Sequence, residues 1–334
     1  MSVMTRSEVE TIVAAARAMG ERPDLAGANL RDTNLKRANL TGADLTAAKL
    51  QRANLTDANL EHARLQGVNL TDANLESADL NGVNLKNADL TRANLTDANL
   101  TGANLTGANL TGVNLQGMDL TGVNLTKARL IGVKLTGADL HSANLESADL
   151  IWANLDRAKL QGANLDYANL EQAGLEDADL TNAAVGGADL SGASLEGANL
   201  RGANLGYTRL CDANLTNADL KGANLTGAYL GREHLDNPNI TDQQWHGTKI
   251  GSMNITPERL VAMRTAMTGT ALADLDALAD HRLATIRALV ARNPACNERL
   301  LMQLVTDCSS PVRHAALRHP NCTEAVRVMA ALQS

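Results

Sequence analysis

Leucine occupies every fifth position of this chain from Leu25 to Leu235, and Val185 is the one exception among 43 positions. A period of five suits neither common element. Five residues of α-helix advance about 500°, so the leucines would scatter around the axis instead of forming a stripe. In a flat strand side chains alternate with period two, and an odd spacing would send leucines to both faces. The chain must turn once per repeat, so that each leucine returns to the same interior.

The neighbouring positions agree. Two residues before the leucine, from Ala28 to Ala228, alanine fills 33 of 41 positions. Strand parity puts this residue on the leucine side, and its small size implies a narrow interior already filled. Asn or Asp precedes the leucine at 31 of 41 positions, and both bond locally to backbone and favour turns. Glycine is frequent two residues after the leucine, as at Gly102, Gly107 and Gly112, where a tight corner tolerates it best. Aromatic residues make up 1% of the chain and Phe is absent, so the core is expected to be Leu and Ala.

The unit Ala103-Asn104-Leu105-Thr106-Gly107 resembles the pentapeptide-repeat family, over roughly residues 21 to 240. That resemblance implies a mainly β fold: a right-handed, four-sided β-helix with four pentapeptides per coil. About 11 coils at a strand spacing of about 4.8 Å would give a solenoid on the order of 50 Å long. Its stability should approach a sum over neighbouring coils. Ile240, Trp245, Ile250, Ile255 and Leu260 continue in step, which suggests that the last coil runs on in degenerate form.

Residues 7 to 19 read as a helix. Ser7 and Glu10 fit a capping box, Val9, Ile12, Val13, Ala16 and Met19 make an apolar stripe, and Gly20 stops it. It is expected to cap the first coil, since a solenoid end exposes core. Beyond Thr256-Pro257-Glu258, a helix start with Pro at the first helical position, the pattern becomes helical. Ile286-Arg287, Arg292, Pro294, Cys296 and Glu298 recur 26 residues later as Val312-Arg313, Arg318, Pro320, Cys322 and Glu324. These units resemble the variant leucine-rich repeat, an α-helical solenoid unit. The expected domains are a cap over 1–20, the β-helix over 21–255 and a small α-helical domain over 256–334. Whether the last caps the solenoid or recruits a partner stays open.

A catalytic site needs a concave pocket where polar groups converge. An unbroken five-residue register has no insertion from which to build one. No phosphate-binding glycine loop, nucleophile elbow or metal-spaced histidine pair is present. Cys211, Cys296, Cys308 and Cys322 form no metal or disulfide framework, and the four-cysteine iron–sulfur motif of some variant-repeat relatives is missing. Cys296 and Cys322 read as buried packing residues, and His281, His314 and His319 as surface residues. The expectation is a non-enzyme without cofactor or metal, in the cytosol, with no membrane span and no direct nucleic-acid binding.

Charge is the uneven feature. Residues 21–64 carry 7 basic and 6 acidic groups, and residues 65–138 carry 5 and 6, whereas residues 139–196 carry 2 and 11. A candidate partner-binding acidic face comprises Asp156, Asp166, Glu171, Glu176, Asp177, Asp179, Asp189 and Glu196. On a 20-residue coil, Asp156, Glu176 and Glu196 should stack. Arg287, Arg292, Arg313 and Arg318 form a candidate surface on the helical repeats. A protein-binding scaffold is the first expectation. The resemblance supplies an alternative, because quinolone-resistance members are acidic, DNA-wide rods that engage DNA gyrase or topoisomerase IV in place of DNA. A homodimer is left open, as is delivery into another cell.

Overall fold

The computed structural model describes residues 2–231, 240–241, 244, 248–250, 253–269, 271–281 and 284–332. The chain divides into two compact units, the first built on Met1–Gly231 and the second on Met253–Ser334.

The first unit is a β-helix whose register is 20 residues. Parallel bridges join Asp24 to Asp44, Asn29 to Lys49, and so on in steps of five to Asn204 with Asn224. Each coil therefore holds four pentads. The leucine N–H donates to one neighbouring coil (Leu25 N to Asp44 O, 2.7 Å), and the bridged residue's N–H donates to the other (Asp44 N to Pro23 O, 2.8 Å). Strands β1 (Arg209–Leu210) and β2 (Tyr229–Leu230) are in parallel register, Arg209 with Tyr229. Tyr229 pairs in turn with Lys249 of β3 (Lys249–Ile250), so the 20-residue step continues past the last regular pentad. Ile240 is buried in step and Ile255 is buried in the second unit, while Leu235 and Trp245 lie outside the described residues.

Each corner is built the same way. The residue three after the leucine's position donates back to the leucine carbonyl, as Ala28 N to Leu25 O at 3.1 Å. The second central residue has positive φ in every pentad, from Gly27 at +65° and Asp32 at +58° to Gly227 at +72°. Together these define a type II turn. Glycine relieves it but is not required, since 23 of these residues carry a side chain. The preceding Asn or Asp supports the corner: Asn104 Oδ1 accepts from the Thr106 N–H at 3.1 Å and from its hydroxyl at 2.6 Å. Leucines and alanines of the pentads fill the interior, with Leu145 and Ala143 both fully buried.

Among the described residues the ladder opens at one place. Asn94 and Asn114, and Asn99 and Asp119, form no bridge, although Asp89 with Asn109 and Asn104 with Asn124 do. The N–H groups of Leu95 and Leu100 therefore have no partner in the next coil, among the described residues. A cleft of about 340 Å³ lies there, lined by Thr96, Asp97, Asn99, Asn114, Gln116 and Met118 among others. Met118 stands where most pentads have alanine and is only partly buried. Its extra side-chain volume is the local departure from a slot shaped for a methyl group.

Helix α1 spans Arg6–Ala18, not 7–19, because Thr5 rather than Ser7 is its N-cap. Thr5 and Glu8 form the reciprocal capping box. Two overlapping Ser/Thr-x-x-Glu motifs were available, and the earlier one also satisfies the amide at the chain's entry to the helix. Gly20 N to Arg17 O and Glu21 N to Ala16 O close a Schellman motif. Val9, Val13 and Ala16 are buried, whereas Met19, expected in the apolar stripe, is the exposed C-cap. Met4 N donates to Asn29 O at 2.8 Å, Arg6 Nη1 to Lys36 O at 2.8 Å, and Arg17 Nη2 to Asn39 Oδ1 at 2.7 Å.

The second unit contains β4 (Met253–Asn254) and helices α2 (Pro257–Thr268), α3 (Leu272–Ala279), α4 (Ala284–Val290), α5 (Glu298–Leu304), α6 (Ser310–Leu317) and α7 (Glu324–Leu332). The 26-residue repeat maps α4–α5 onto α6–α7. Cys296 and Cys322 are buried at equivalent turns, each with its thiol 3.9 Å from the next carbonyl. His319 is not a surface residue. It is 6% exposed, and its Nε2 lies 3.0 Å from Asn293 O. Its Nδ1 accepts from Asn321 N–H at 3.0 Å, which assigns the proton to Nε2. Asn293, the equivalent residue one repeat earlier, donates to the Ala266, Met267 and Gly269 carbonyls at the end of α2, each at 3.0 Å. A polar side chain at this turn joins successive layers, a role that repeat spacing alone does not distinguish from exposure.

Candidate interaction surface

Three positions of each pentad face outward: the residue before the leucine and the two central turn residues. Position on the coil therefore fixes where each acid lies. Asp156, Glu176, Asp177 and Glu196 share one corner, the one that follows Leu155, Leu175 and Leu195, and Asp179 lies on the strand leaving it. Asp166 lies two corners further round, Asp189 on the strand after that, and Glu171 at the third corner. The eight acids expected to form one face are thus divided around the coil. The sequence separation between them, about half a coil in several cases, carries them to different sides.

The expected stack is present: Leu155 N donates to Gly174 O and Leu175 N to Ser194 O, each at 2.7 Å, which sets Asp156, Glu176 and Glu196 in register. Two of the acids also complete the backbone. Gly174 and Ala184 replace the usual Asn or Asp, and their corners lose the side-chain acceptor. Asp156 Oδ1 accepts the Glu176 N–H at 3.0 Å and Asp166 Oδ1 the Gly186 N–H at 2.7 Å, each from the preceding coil. Glu176 accepts from Ser194 Oγ at 3.0 Å and Glu196 from Asn214 Nδ2 at 3.2 Å. Asp189 pairs with Arg209 at 3.2 Å. For Asp179, partial burial opposes ionisation, but bonds from Thr181 and the Gln161 amide hold its carboxyl below the usual carboxylate range.

The four arginines of the helical unit also separate. Arg287 is 12% exposed and forms a two-pronged pair with Asp307 at 2.6 and 2.9 Å. Arg313 Nη1 donates to the carbonyls of Asp307 and Cys308 at 2.8 and 3.0 Å. Both are half-buried and hold the turn before α6. Arg292 and Arg318 line one hollow of about 440 Å³ with Ser310 and His314. Their side chains converge there because they occupy the same place in successive repeats.

The aromatic residues escaped attention in the sequence. Trp152, Tyr167 and Tyr207 are 67%, 69% and 64% exposed, each at the positive-φ corner position. A Cβ placed on Gly187 would come within 2.8 Å of the Tyr167 ring, and one on Gly227 within 2.6 Å of the Tyr207 ring, so each ring lies across the glycine of the next coil. Aligning the sequence in rows of 20 would have set Tyr167 and Tyr207 in one column, with Trp152 at the neighbouring corner. Among the described residues, no group of three or more His, Cys, Asp or Glu is placed to hold a metal ion, and no helix is long and apolar enough to cross a membrane.

Comparison with known proteins agrees with the repeat geometry. A family profile described as "Pentapeptide repeats (8 copies)" matches residues 23–57, 53–92, 88–126, 124–162, 153–192 and 193–232. No curated protein matches the chain. Among solved structures, HetL from the cyanobacterium Nostoc, a pentapeptide repeat protein involved in heterocyst differentiation regulation, is 36% identical. The match covers 67% of this chain and 96% of HetL, with a TM-score of 0.52. QnrB1, a plasmid-mediated fluoroquinolone resistance protein, is 20% identical over 60% of this chain and 89% of its own, with a TM-score of 0.31. With the repeat profile matched over more than half its length, this chain belongs to the pentapeptide-repeat family.

Proposed function

We propose that this protein is a non-enzymatic interaction scaffold that binds a macromolecular partner through the outer wall of its solenoid. The coil is taken to be right-handed and four-sided, with α1 as its N-terminal cap. The backbone and side-chain bonds from Met4, Arg6 and Arg17 to the first coils support the cap. One observation carries the reading. From Leu25 to Leu230 both inward side chains of the pentads are buried, Met118 alone only partly, so chemical variety is confined largely to outward positions. The helical unit is read as a pair of variant leucine-rich repeats adding a second, basic surface at Arg292 and Arg318. The four free cysteines support a reducing, cytosolic setting.

The test is photo-cross-linking. Full-length protein carrying a photoreactive residue at outward positions on each corner is irradiated in native extract. The scaffold reading expects a macromolecular adduct from one contiguous set of outward positions. Adducts from none of them would overturn it.

A narrower reading directs the protein to DNA gyrase or topoisomerase IV. The column Asp156, Glu176, Glu196 favours it, since carboxylates spaced evenly along an axis offer a basic groove a substitute for phosphates. The likeness to QnrB1 carries no part of this reading. Supercoiling and quinolone poisoning left unchanged by micromolar protein would remove this reading.

A further inference from the structure

We propose that the flank carrying Trp152, Tyr167 and Tyr207 is the docking site for a Lys/Arg-rich segment of a partner protein; this deepens the scaffold reading and rests on it. The chain has only five aromatic residues, two Trp and three Tyr. The four that are described all fall on one side of the coil. Tyr167 and Tyr207 sit at the corner after Leu165 and Leu205, Tyr229 on the strand leaving that corner, and Trp152 at the corner where that strand ends, after Leu150. None serves the Leu/Ala interior.

Their positions are not explained by folding. Trp152, Tyr167 and Tyr207 have φ of +55°, +60° and +60°, a region where bulky residues are outliers and an L side chain costs about 1–2 kcal/mol. In the coil that follows each tyrosine the same position is glycine, Gly187 after Tyr167 and Gly227 after Tyr207. The rings lie across Gly187 and Gly227, which leaves their outer faces to solvent as fixed platforms. Ile131 and Ile151, half-buried beside Trp152, enlarge the apolar part. Tyr167 and Tyr207 are two coils apart, about 10 Å at the usual strand spacing.

Charge on the flank selects the occupant. Between residues 133 and 208 its outward positions include Glu146, Asp149, Asp166, Glu171 and Asp189, and no Lys or Arg. Arg209, at the upper border, is engaged by Asp189, and Lys127 and Arg129 mark the lower border, Arg129 beside Asp149. Asp149, partly buried at the lower end of the flank next to Arg129 of the preceding coil, has a buried carboxylate oxygen with no hydrogen-bond donor. Aromatic faces beside carboxylates attract Arg and Lys, by cation–π contact and by ion pairing. The same charges repel phosphate, so stacked rings here do not make a nucleic-acid site. Exposed Trp and Tyr with Arg as their partner is also the composition of interface hot spots.

The probe is a fluorescent 12-residue peptide of alternating Arg, Lys and Ser, with a Glu/Ser peptide as control, titrated into full-length protein and followed by anisotropy. A triple variant Trp152→Asn, Tyr167→Asn, Tyr207→Asn keeps the positive-φ corners satisfied and removes the rings. Asp166→Asn with Glu171→Gln removes charge, and the amide oxygen introduced by the first change still accepts from the Gly186 N–H. Glu176→Gln with Glu196→Gln removes equal charge from another corner. The proposal expects the basic peptide alone to bind, at least tenfold weaker affinity in the first two variants, and little change in the third. Equal loss in all three, or none in the triple variant, would overturn it. In extract, adducts that persist in the triple variant from the Glu176 corner would sink this proposal yet leave the scaffold reading standing; adducts from no outward position would sink both.

Discussion

Replacing Gly137 by alanine should destabilise the solenoid, against the usual sign for that substitution. Gly137 has φ of +65°, and a Cβ there meets nothing within 4 Å, so no collision contributes. An L residue in this region costs about 1–2 kcal/mol. The loss of unfolded-chain freedom returns about 0.4–1 kcal/mol. The net is a destabilisation of roughly 0.5–1 kcal/mol. The reverse change, Ala47→Gly at φ +55°, should stabilise by a similar amount. Gly227→Ala should be worse than Gly137→Ala, because its Cβ would press on the Tyr207 ring. Coils of a repeat protein need not unfold together, so the assay is urea unfolding combined with amide exchange of the coils on either side. A higher stability for Gly137→Ala, or a lower one for Ala47→Gly, would refute the type II corner.

Three other outcomes are expected. Amides of Leu95 and Leu100, which lack partners in the next coil among the described residues, should exchange at least about tenfold faster than those of Leu75 and Leu80, and Met118→Ala should narrow that difference. Arg287→Ala should cost the helical unit about 3 kcal/mol by leaving Asp307 buried and unpaired. The Arg287 guanidinium holds the Asp307 carboxyl below its ordinary value near 3.8. The pair's contribution is therefore complete above that value and is lost as pH falls through the lower, folded-state one; acid unfolding followed by circular dichroism in both proteins would show it. Burial pushes the Cys296 thiol up to about 11, so iodoacetamide at a pH of about 8, near the ordinary thiol value, should modify exposed Cys308 and spare Cys296 in the native protein, as read by peptide mass.

The interior was legible because leucine and alanine repeat at every corner, and composition left no other core. The 20-residue step is invisible in that pattern, since all four pentads of a coil look alike. It shows only in outward columns, such as Asp32, Arg52, Asp72 and Arg92, where Arg52 pairs with Asp32 at 2.7 Å and Arg92 with Asp72 at 2.8 Å. Counting charge along the chain joined Asp166 and Glu171 to Glu176, although successive corners point them apart. Arg287 and His319 read as surface because their type is usually exposed; their partners, Asp307 and Asn293, lie 20 and 26 residues away. Thr5 and Ser7 both fit a helix start, and only the backbone decides between them. The open ladder near Met118 had a signal, the single methionine in a column of Ala, Val and Thr.

The coil register is the claim from which the interior, the outward positions and both proposed surfaces follow. Asn144 and Asn164 are bridged, and their side chains meet at 3.2 Å. Adjacent strands lie about 4.8 Å apart, within disulfide reach. Full-length protein with Asn144→Cys and Asn164→Cys, oxidised under native conditions and mapped by peptide mass, should link these two positions. Asn144→Cys with Lys159→Cys, one corner out of step, should not. A link in the second pair and none in the first would contradict the account.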